Sequence, residues 1–158
     1  MPKLPLTLTF REDDLSGAKV RELVAHHLKG MEENSPPGTC FAFDVDALKQ
    51  PGVTLWSAWD GAALVGMGGL KALDRDNGEI KSMRVADRYL GKGAGRAVLE
   101  HLMAEARGRK LSALWLETGS SDGFAAALKL YESAGFRYCG PFYDYADNGF
   151  SRFMTREL

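Results

Sequence analysis

The sequence predicts a single domain, residues 1–158, of mixed α/β fold. Two observations support this prediction. Apolar residues recur at a spacing of two in some segments and at spacings of three and four in others, a pattern typical of strands and helices that share a core. In addition, no internal repeat, low-complexity segment or linker divides the 158 residues, a length that one hydrophobic core can serve.

The first half of the chain predicts one strand, one long helix and a three-stranded meander. Alternation marks the first strand at Leu6, Leu8 and Phe10, and Asp14 or Ser16 is expected to cap the helix that follows. The buried face of this helix is predicted to contain Val20, Leu23, Val24, His27, Leu28 and Met31. A short helical piece is expected at 44–49, then strands at 54–59, 62–70 and 79–85, with hairpin turns at Asp60-Gly61 and Asn77-Gly78.

The second half predicts two helices and three further strands. The glycine-rich stretch "RYLGKGAGR" (88–96) precedes a helix that ends near Gly108 and whose buried stripe comprises Val98, Leu99, Leu102, Met103 and Ala106. The run "ALWLET" has the length and composition of a strand. Another helix begins at about Phe124 and stops at Gly135, and "FRYCG" and "FSRFMTREL" are typical of the last two strands.

Composition excludes several classes of protein. The formal net charge is −1, so no global positive field attracts nucleic acid or an anionic membrane. No apolar run approaches the roughly 18 residues of a membrane span, and the N-terminus lacks the unbroken apolar block of a signal peptide. The two cysteines, Cys40 and Cys139, lie far apart, as in reduced cytosolic proteins. We therefore expect a cytoplasmic protein that binds neither nucleic acid nor membrane.

The glycine-rich stretch predicts an anion site or, equally, a solvated connection between a strand and a helix. The first N–H groups of a helix have no intrahelical partner and point towards such a loop, and glycines allow a ligand to approach the backbone. Arg88, Lys92 and Arg96 would add charge, a combination that suits a pyrophosphate. The stretch lacks the Gly-Lys-Ser/Thr of a Walker loop, and its position in mid-chain does not match a Rossmann loop.

Three stretches, in their order along the chain, resemble the GNAT N-acetyltransferase superfamily. "GEIKSMRV" (78–85) is similar to its central strand, and Arg88-x-x-Gly91-x-Gly93 is similar to its pyrophosphate-binding signature. "LYESAGF" (130–136) is similar to the end of its second cofactor motif. "PFYDY", "ETGS" and "EIKSMR" resemble, within it, a bacterial group of small acetyltransferases. The resemblance implies a central mixed sheet with helices on both faces, acetyl-CoA as co-substrate and no metal.

By this resemblance, a defined set of residues contacts acetyl-CoA. The set comprises Met83, Arg84, Val85, Arg88, Gly91, Lys92, Gly93, Ala94, Gly95, Arg96, Thr118, Ser120 and Phe124. One departure is visible, because many members have an asparagine shortly after the fifth strand, where this chain has Gly119-Ser120-Ser121. Ser120 or Ser121 is expected to substitute for it.

The resemblance also implies two catalytic residues. Tyr131 is expected to protonate the departing thiolate, since a phenol can donate to the sulfur; its alternative is a packing role in the core. Glu79 is expected to remove the proton of the amine, directly or through water; its alternatives are a solvated strand edge and a water chain that needs no carboxylate. Backbone N–H groups of Met83 and Val85 are expected to meet the cofactor.

The expected function is acetylation of a small primary amine by direct attack, with no nucleophilic side chain. The loop after the first helix should arch over the acceptor, and strand alternation puts Lys81 and Arg84 on opposite faces, so that at most one easily faces it. His26 and His27 do not have metal-ligand spacing, and an ordinary helix position is expected for them; the alternative is that either lines a substrate pocket. The alternatives are acetylation of a protein lysine or N-terminus, a non-catalytic acyl-CoA-binding module, and another phosphate-bearing ligand. Homodimerisation is expected by analogy only.

Overall fold

A computed structural model describes residues 7–158, in which seven strands and four helices form. The strands are β1 (Thr9–Asp13), β2 (Val53–Asp60), β3 (Ala63–Ala72), β4 (Asn77–Val85), β5 (Ala113–Thr118), β6 (Arg137–Cys139) and β7 (Arg152–Glu157). The helices are α1 (Ala18–Glu33), α2 (Val45–Leu48), α3 (Ala94–Gly108) and α4 (Ala125–Ser133). The order of elements is the predicted one, although Leu6 lies outside the described residues.

All seven strands belong to one mixed sheet in the order β1-β2-β3-β4-β5-β7-β6. Neighbouring strands are antiparallel except β4 and β5, which are parallel and are connected through α3. The two parallel strands pair only between 77–79 and 113–115, although β4 continues to Val85. Beyond Glu79 the two strands therefore separate, and a gap opens in the middle of the sheet.

Helices cover both faces of the sheet, as expected. The stripe of α3 from Val98 to Ala106 is buried in one cluster with Leu70 of β3, Leu114 of β5 and Tyr131 of α4. On the other face, Val20 and Val24 of α1 and Leu48 of α2 pack against Leu55 and Met67. Two apolar layers thus sandwich the sheet, and the gap between β4 and β5 lies between them.

A bulge in β4 makes the predicted opposite faces of Lys81 and Arg84 wrong. The pairing with β3 shifts between Met67 and Gly69, and Ser82 has a left-handed backbone with φ of 56°. Because the bulge adds one residue, both side chains lie on the face that α1 covers: Arg84 contacts His26 of α1 at 3.0 Å, and Lys81 reaches the carbonyl of Phe41, in the segment after α1, at 3.1 Å. That at most one of them faces the acceptor stays a prediction.

Two local predictions are also wrong. The cap of α1 is Gly17, because the Asp14 carboxylate accepts bonds from the backbone N–H and hydroxyl of Ser16 and closes a local turn instead. The second hairpin turn precedes Asn77, since the Asp74 carboxylate binds the backbone N–H groups of Asp76 and Asn77. Gly78 lies within β4, where an added Cβ would come within 2.9 Å of a Leu111 methyl group.

Candidate active site

Three adjoining cavities form a row, and the central one lies in the gap between β4 and β5. A cleft of about 580 Å³ lies along the glycine-rich loop, a central cavity of about 80 Å³ follows, and an aromatic pocket of about 680 Å³ opens beyond it. Met83, Ala127 and Tyr131 border both the cleft and the central cavity. Lys81 and Phe41 border both the central cavity and the aromatic pocket. A long substrate in the cleft and a second substrate in the pocket can therefore meet at the centre.

The cleft is formed by the glycine-rich loop and the N-terminus of α3. Gly91 and Gly93 have φ of 72° and 84°, conformations that L side chains rarely adopt, and Gly93 is the N-terminal cap of α3. The first N–H groups of this 15-residue helix are therefore available to an anion. Eight of the residues predicted to contact acetyl-CoA line this cleft: Met83, Arg84, Val85, Gly91, Gly93, Ala94, Gly95 and Arg96.

Arg88 and Lys92 are exposed at the edge of the loop and do not line the cleft. Both cationic groups lie over the ring of Tyr89, at 5.4 and 5.5 Å from its centroid. Arg88 borders a separate open groove beside α1. Arg96 lines the cleft while its guanidinium contacts Ser133 of α4. Long side chains of this kind can reach a bound anion by changing rotamer.

Tyr131 lies where the cleft meets the central cavity. The residue is 6% exposed, and its ring packs at 5.8 Å from that of Phe136. Burial raises the pKa of its phenol well above the usual value of 10. The hydroxyl is therefore protonated at every physiological pH, which is the state that a proton donor requires.

Thr118 and Phe124 line the central cavity, whereas the two serines after β5 do not. The Ser120 hydroxyl donates to the carbonyl of Phe150 at 2.6 Å, and the Ser121 hydroxyl donates to that of Asn34 at 2.8 Å. Both hydroxyls thus fasten loops to the end of β5, and neither is free to donate to a substrate there.

Glu79 is buried in an ion pair, so a solvated strand edge does not describe its position. The residue is 2% exposed, and one carboxylate oxygen lies 3.4 Å from Nζ of Lys81, itself 7% exposed. The same oxygen accepts a hydrogen bond of 2.6 Å from the hydroxyl of Tyr145. Burial, together with this carboxylate, raises the pKa of Tyr145 above its usual range. The cluster faces the aromatic pocket.

Glu117 is a carboxylate of the site that was not predicted from the sequence. It lines the central cavity, and burial raises its pKa above the usual 4.5, although Ser151 and Lys81 partly oppose the shift. A signal for this residue was present, because alternation along β5 puts Trp115 and Glu117 on the face opposite to the apolar residues of the core. A charged side chain in such a short apolar strand is unusual unless it has a partner or a function.

His27 also lines the central cavity instead of occupying an ordinary helix position. It is 6% exposed, and its Nδ1 is buried without a hydrogen-bond partner among residues 7–158. Burial, reinforced by the Arg84 and Lys81 cations, lowers the pKa of His27 from 6.5 to about 4. The imidazole is therefore neutral, and the bulge at Ser82 is what brings both cations to this face.

Residues 20–136 match the acetyltransferase (GNAT) family. The chain belongs to this family. It is 49% identical, over 146 residues, to the uncharacterised N-acetyltransferase YsnE of Bacillus subtilis, and the match covers 92% of this chain and 97% of that relative. It is 45% identical, over 150 residues, to the uncharacterised N-acetyltransferase YedL of Escherichia coli, and this match covers 95% of the chain and 94% of the relative.

The fold of this GNAT protein also matches solved structures. A Bacillus subtilis acetyltransferase in complex with CoA superimposes with a TM-score of 0.73 at 19% identity, over 96% of this chain and 99% of the other. The GNAT protein is thus an acyl-CoA-dependent N-acetyltransferase. Within residues 7–158, no helix is both long and apolar enough to cross a membrane, and no three metal-ligating side chains cluster.

Proposed function

We propose that the protein transfers an acetyl group from acetyl-CoA to the primary amine of a small molecule by direct nucleophilic attack. The observation that carries this proposal is the row of three cavities, with a phenol at one junction and carboxylates at the other end. The pyrophosphate of acetyl-CoA would bind the N–H groups at the start of α3, and its thioester would reach the central cavity beside Met83.

In the reaction, the neutral amine nitrogen attacks the thioester carbonyl carbon and a tetrahedral oxyanion forms. Backbone N–H groups of β4 at Met83 and Val85, beyond its pairing with β5, would stabilise the oxyanion. The C–S bond then breaks, and the departing thiolate takes the proton of the Tyr131 phenol. This role is supported by the position of Tyr131 at the junction of the cleft and the central cavity.

A base must remove a proton from the amine, because alkyl ammonium groups are mostly protonated at neutral pH. We propose Glu79 for this role, directly or through a water molecule. Glu117 is a second candidate on a specific observation: it lines the central cavity together with Tyr131, and burial raises its pKa towards the range in which a base is effective.

A small acceptor is favoured over a protein because the aromatic pocket is bounded on several sides. Phe41 and Phe43 come from the segment between α1 and β2, and Tyr143 and Tyr145 come from the segment between β6 and β7. A protein lysine or N-terminus would need a groove that admits an extended peptide on both sides of the reacting residue. These two segments instead bring four aromatic side chains to one pocket, which suits a small acceptor.

Release of free CoA from acetyl-CoA tests the proposal, with amino acids, polyamines, amino sugars, aryl alkylamines and a lysine peptide as acceptors. Turnover with one class of small amine supports it, and the mass of the product, increased by one acetyl group, verifies the transfer. Turnover with the peptide alone would favour a protein substrate. CoA binding by calorimetry with no turnover on any acceptor would favour a non-catalytic acyl-CoA-binding protein.

A further inference from the structure

We infer that the acceptor is an amine that also carries an aromatic ring and a carboxylate, and that Lys71 binds the carboxylate. This inference rests on the proposed function and specifies its substrate class. It concerns the aromatic pocket, which is far larger than the central cavity and has walls of a particular chemistry.

The walls of the pocket are aromatic and partly exposed. Phe41 and Tyr145 contact each other edge to face, with centroids 5.3 Å apart and planes at 87°. Phe41 is 37% exposed and Tyr143 is 52% exposed, and both line the pocket. They are two of only four large hydrophobic residues that are exposed within residues 7–158. Exposed aromatic side chains that converge on one cavity favour a ligand with a flat apolar body.

Of the two lysines that line the pocket, Lys71 is the one whose positive charge is not paired with a carboxylate within residues 7–158. Its Nζ lies 5.7 Å from the ring centroid of Phe43, and within residues 7–158 it forms no salt bridge. Lys81, in contrast, is already engaged by Glu79, the carbonyl of Phe41 and the hydroxyl of Tyr145. Asp144, which also lines the pocket, is exposed and forms no ion pair with Lys71. A ligand carboxylate would give Lys71 a charge-assisted partner.

The placement of Lys71 orients such an acceptor. Lys71 lies opposite Glu79 in the antiparallel pair of β3 and β4, and Gly69 lies opposite Lys81, the residue that borders the central cavity. Lys71 is therefore two residues, or about 7 Å along the strand direction, farther from the reaction centre than Lys81. A carboxylate at Lys71 leaves the ring against the aromatic walls and the amine directed towards the central cavity.

The test compares aromatic acids with the same amines lacking the carboxylate. Two pairs are used, phenylalanine with phenethylamine and 4-(aminomethyl)benzoate with benzylamine, because they separate the amine and carboxylate by different distances. The wild-type protein should prefer the acid of at least one pair by about tenfold or more in kcat/KM, the size of one charge-assisted hydrogen bond. Lys71→Met should reduce this preference to near unity, whereas Lys49→Met, at an exposed lysine remote from the pocket, should retain it.

A binding measurement makes the inference independent of turnover. Calorimetry with CoA present compares the products N-acetylphenylalanine and N-(2-phenylethyl)acetamide, and the acid should bind about tenfold more tightly to the wild type but not to Lys71→Met. Equal affinity of both products, together with equal kcat/KM in both pairs, overturns the inference even if the amines are acetylated. Tighter binding of the acid without any CoA release would support the inference while refuting the proposed transfer.

Discussion

Replacing Lys81 by methionine should destabilise the protein strongly, because it leaves the Glu79 carboxylate buried without its cationic partner. Glu79 and Lys81 are 2% and 7% exposed and lie 3.4 Å apart. Removal of one partner from a buried ion pair costs about 3–5 kcal/mol. Glu79 would keep the hydrogen bond from Tyr145, at 2.6 Å, so we expect a value near the lower end, about 3 kcal/mol.

Urea unfolding followed by circular dichroism measures this loss. For a domain of this size, about 3 kcal/mol corresponds to a fall of roughly 6–12 °C in Tm, which a thermal scan detects easily. Lys71→Met is the matched control, because Lys71 faces Glu79 across the strand pair but makes no salt bridge within residues 7–158. Its cost should stay below about 1 kcal/mol, the value of a weak cation–π contact.

The double variant Lys81→Met/Glu79→Gln decides whether the buried charge is the cause. Removing both charges should recover most of the lost stability, leaving a cost of about 1 kcal/mol. The reasoning would be refuted if the double variant were as unstable as the sum of the two single variants. It would also be refuted if Lys81→Met alone cost less than about 1 kcal/mol.

The remaining predictions concern the cleft and the central cavity. Gly93→Glu should abolish CoA binding in calorimetry, because it adds charge and bulk at a φ of 84°, whereas Gly61→Glu, in a turn with φ of 59°, should leave the affinity unchanged. Tyr131→Phe should lower kcat by about 100-fold at near-normal CoA affinity, and a variant of full activity would assign Tyr131 to packing. Glu117→Gln should remove a pH dependence of stability. Because the pKa of Glu117 is raised in the folded state, its contribution to stability is fully present below about pH 4.5 and is lost as the pH rises through the folded-state pKa. Urea unfolding between pH 4 and 8 should therefore show a shallower decline for the variant, and parallel curves would contradict the assignment.

The sequence was sufficient where structure depends on local patterns. The stripe of α3 from Val98 to Ala106 is buried as predicted, since helical periodicity needs no information from other segments. Gly135 ends the last helix with φ of 90°, and Asp44 accepts a bond from the N–H of Ala47 as the cap of the short α2. The family resemblance added the central mixed sheet with helices on both faces, which periodicity alone does not determine.

The features that were missed depend on contacts between distant segments. Tyr145 reaches Glu79 across 66 positions of the chain, and Lys81 reaches the carbonyl of Phe41 across 40. No local pattern announces such pairs. The bulge at Ser82 has no sequence signal either, because serine is not a residue that typically takes a left-handed conformation. As a consequence of the bulge, Lys81 and Arg84 share one face of the sheet. Alternation predicted opposite faces because it assumes a regular strand, and β4 is not regular at this point.

That bulge also determines which groups can shape the response of the enzyme to acidity. Burial, reinforced by the Arg84 and Lys81 cations on the same face, lowers the pKa of His27 to about 4. A histidine in a reaction chamber would ordinarily switch its charge between pH 6 and 7, and here it does not. His27 is therefore not expected to produce an inflection of the rate in that interval. The additional residue in β4 adds its two cations to the effect of burial, and together they keep this imidazole neutral as a constant part of the cavity wall.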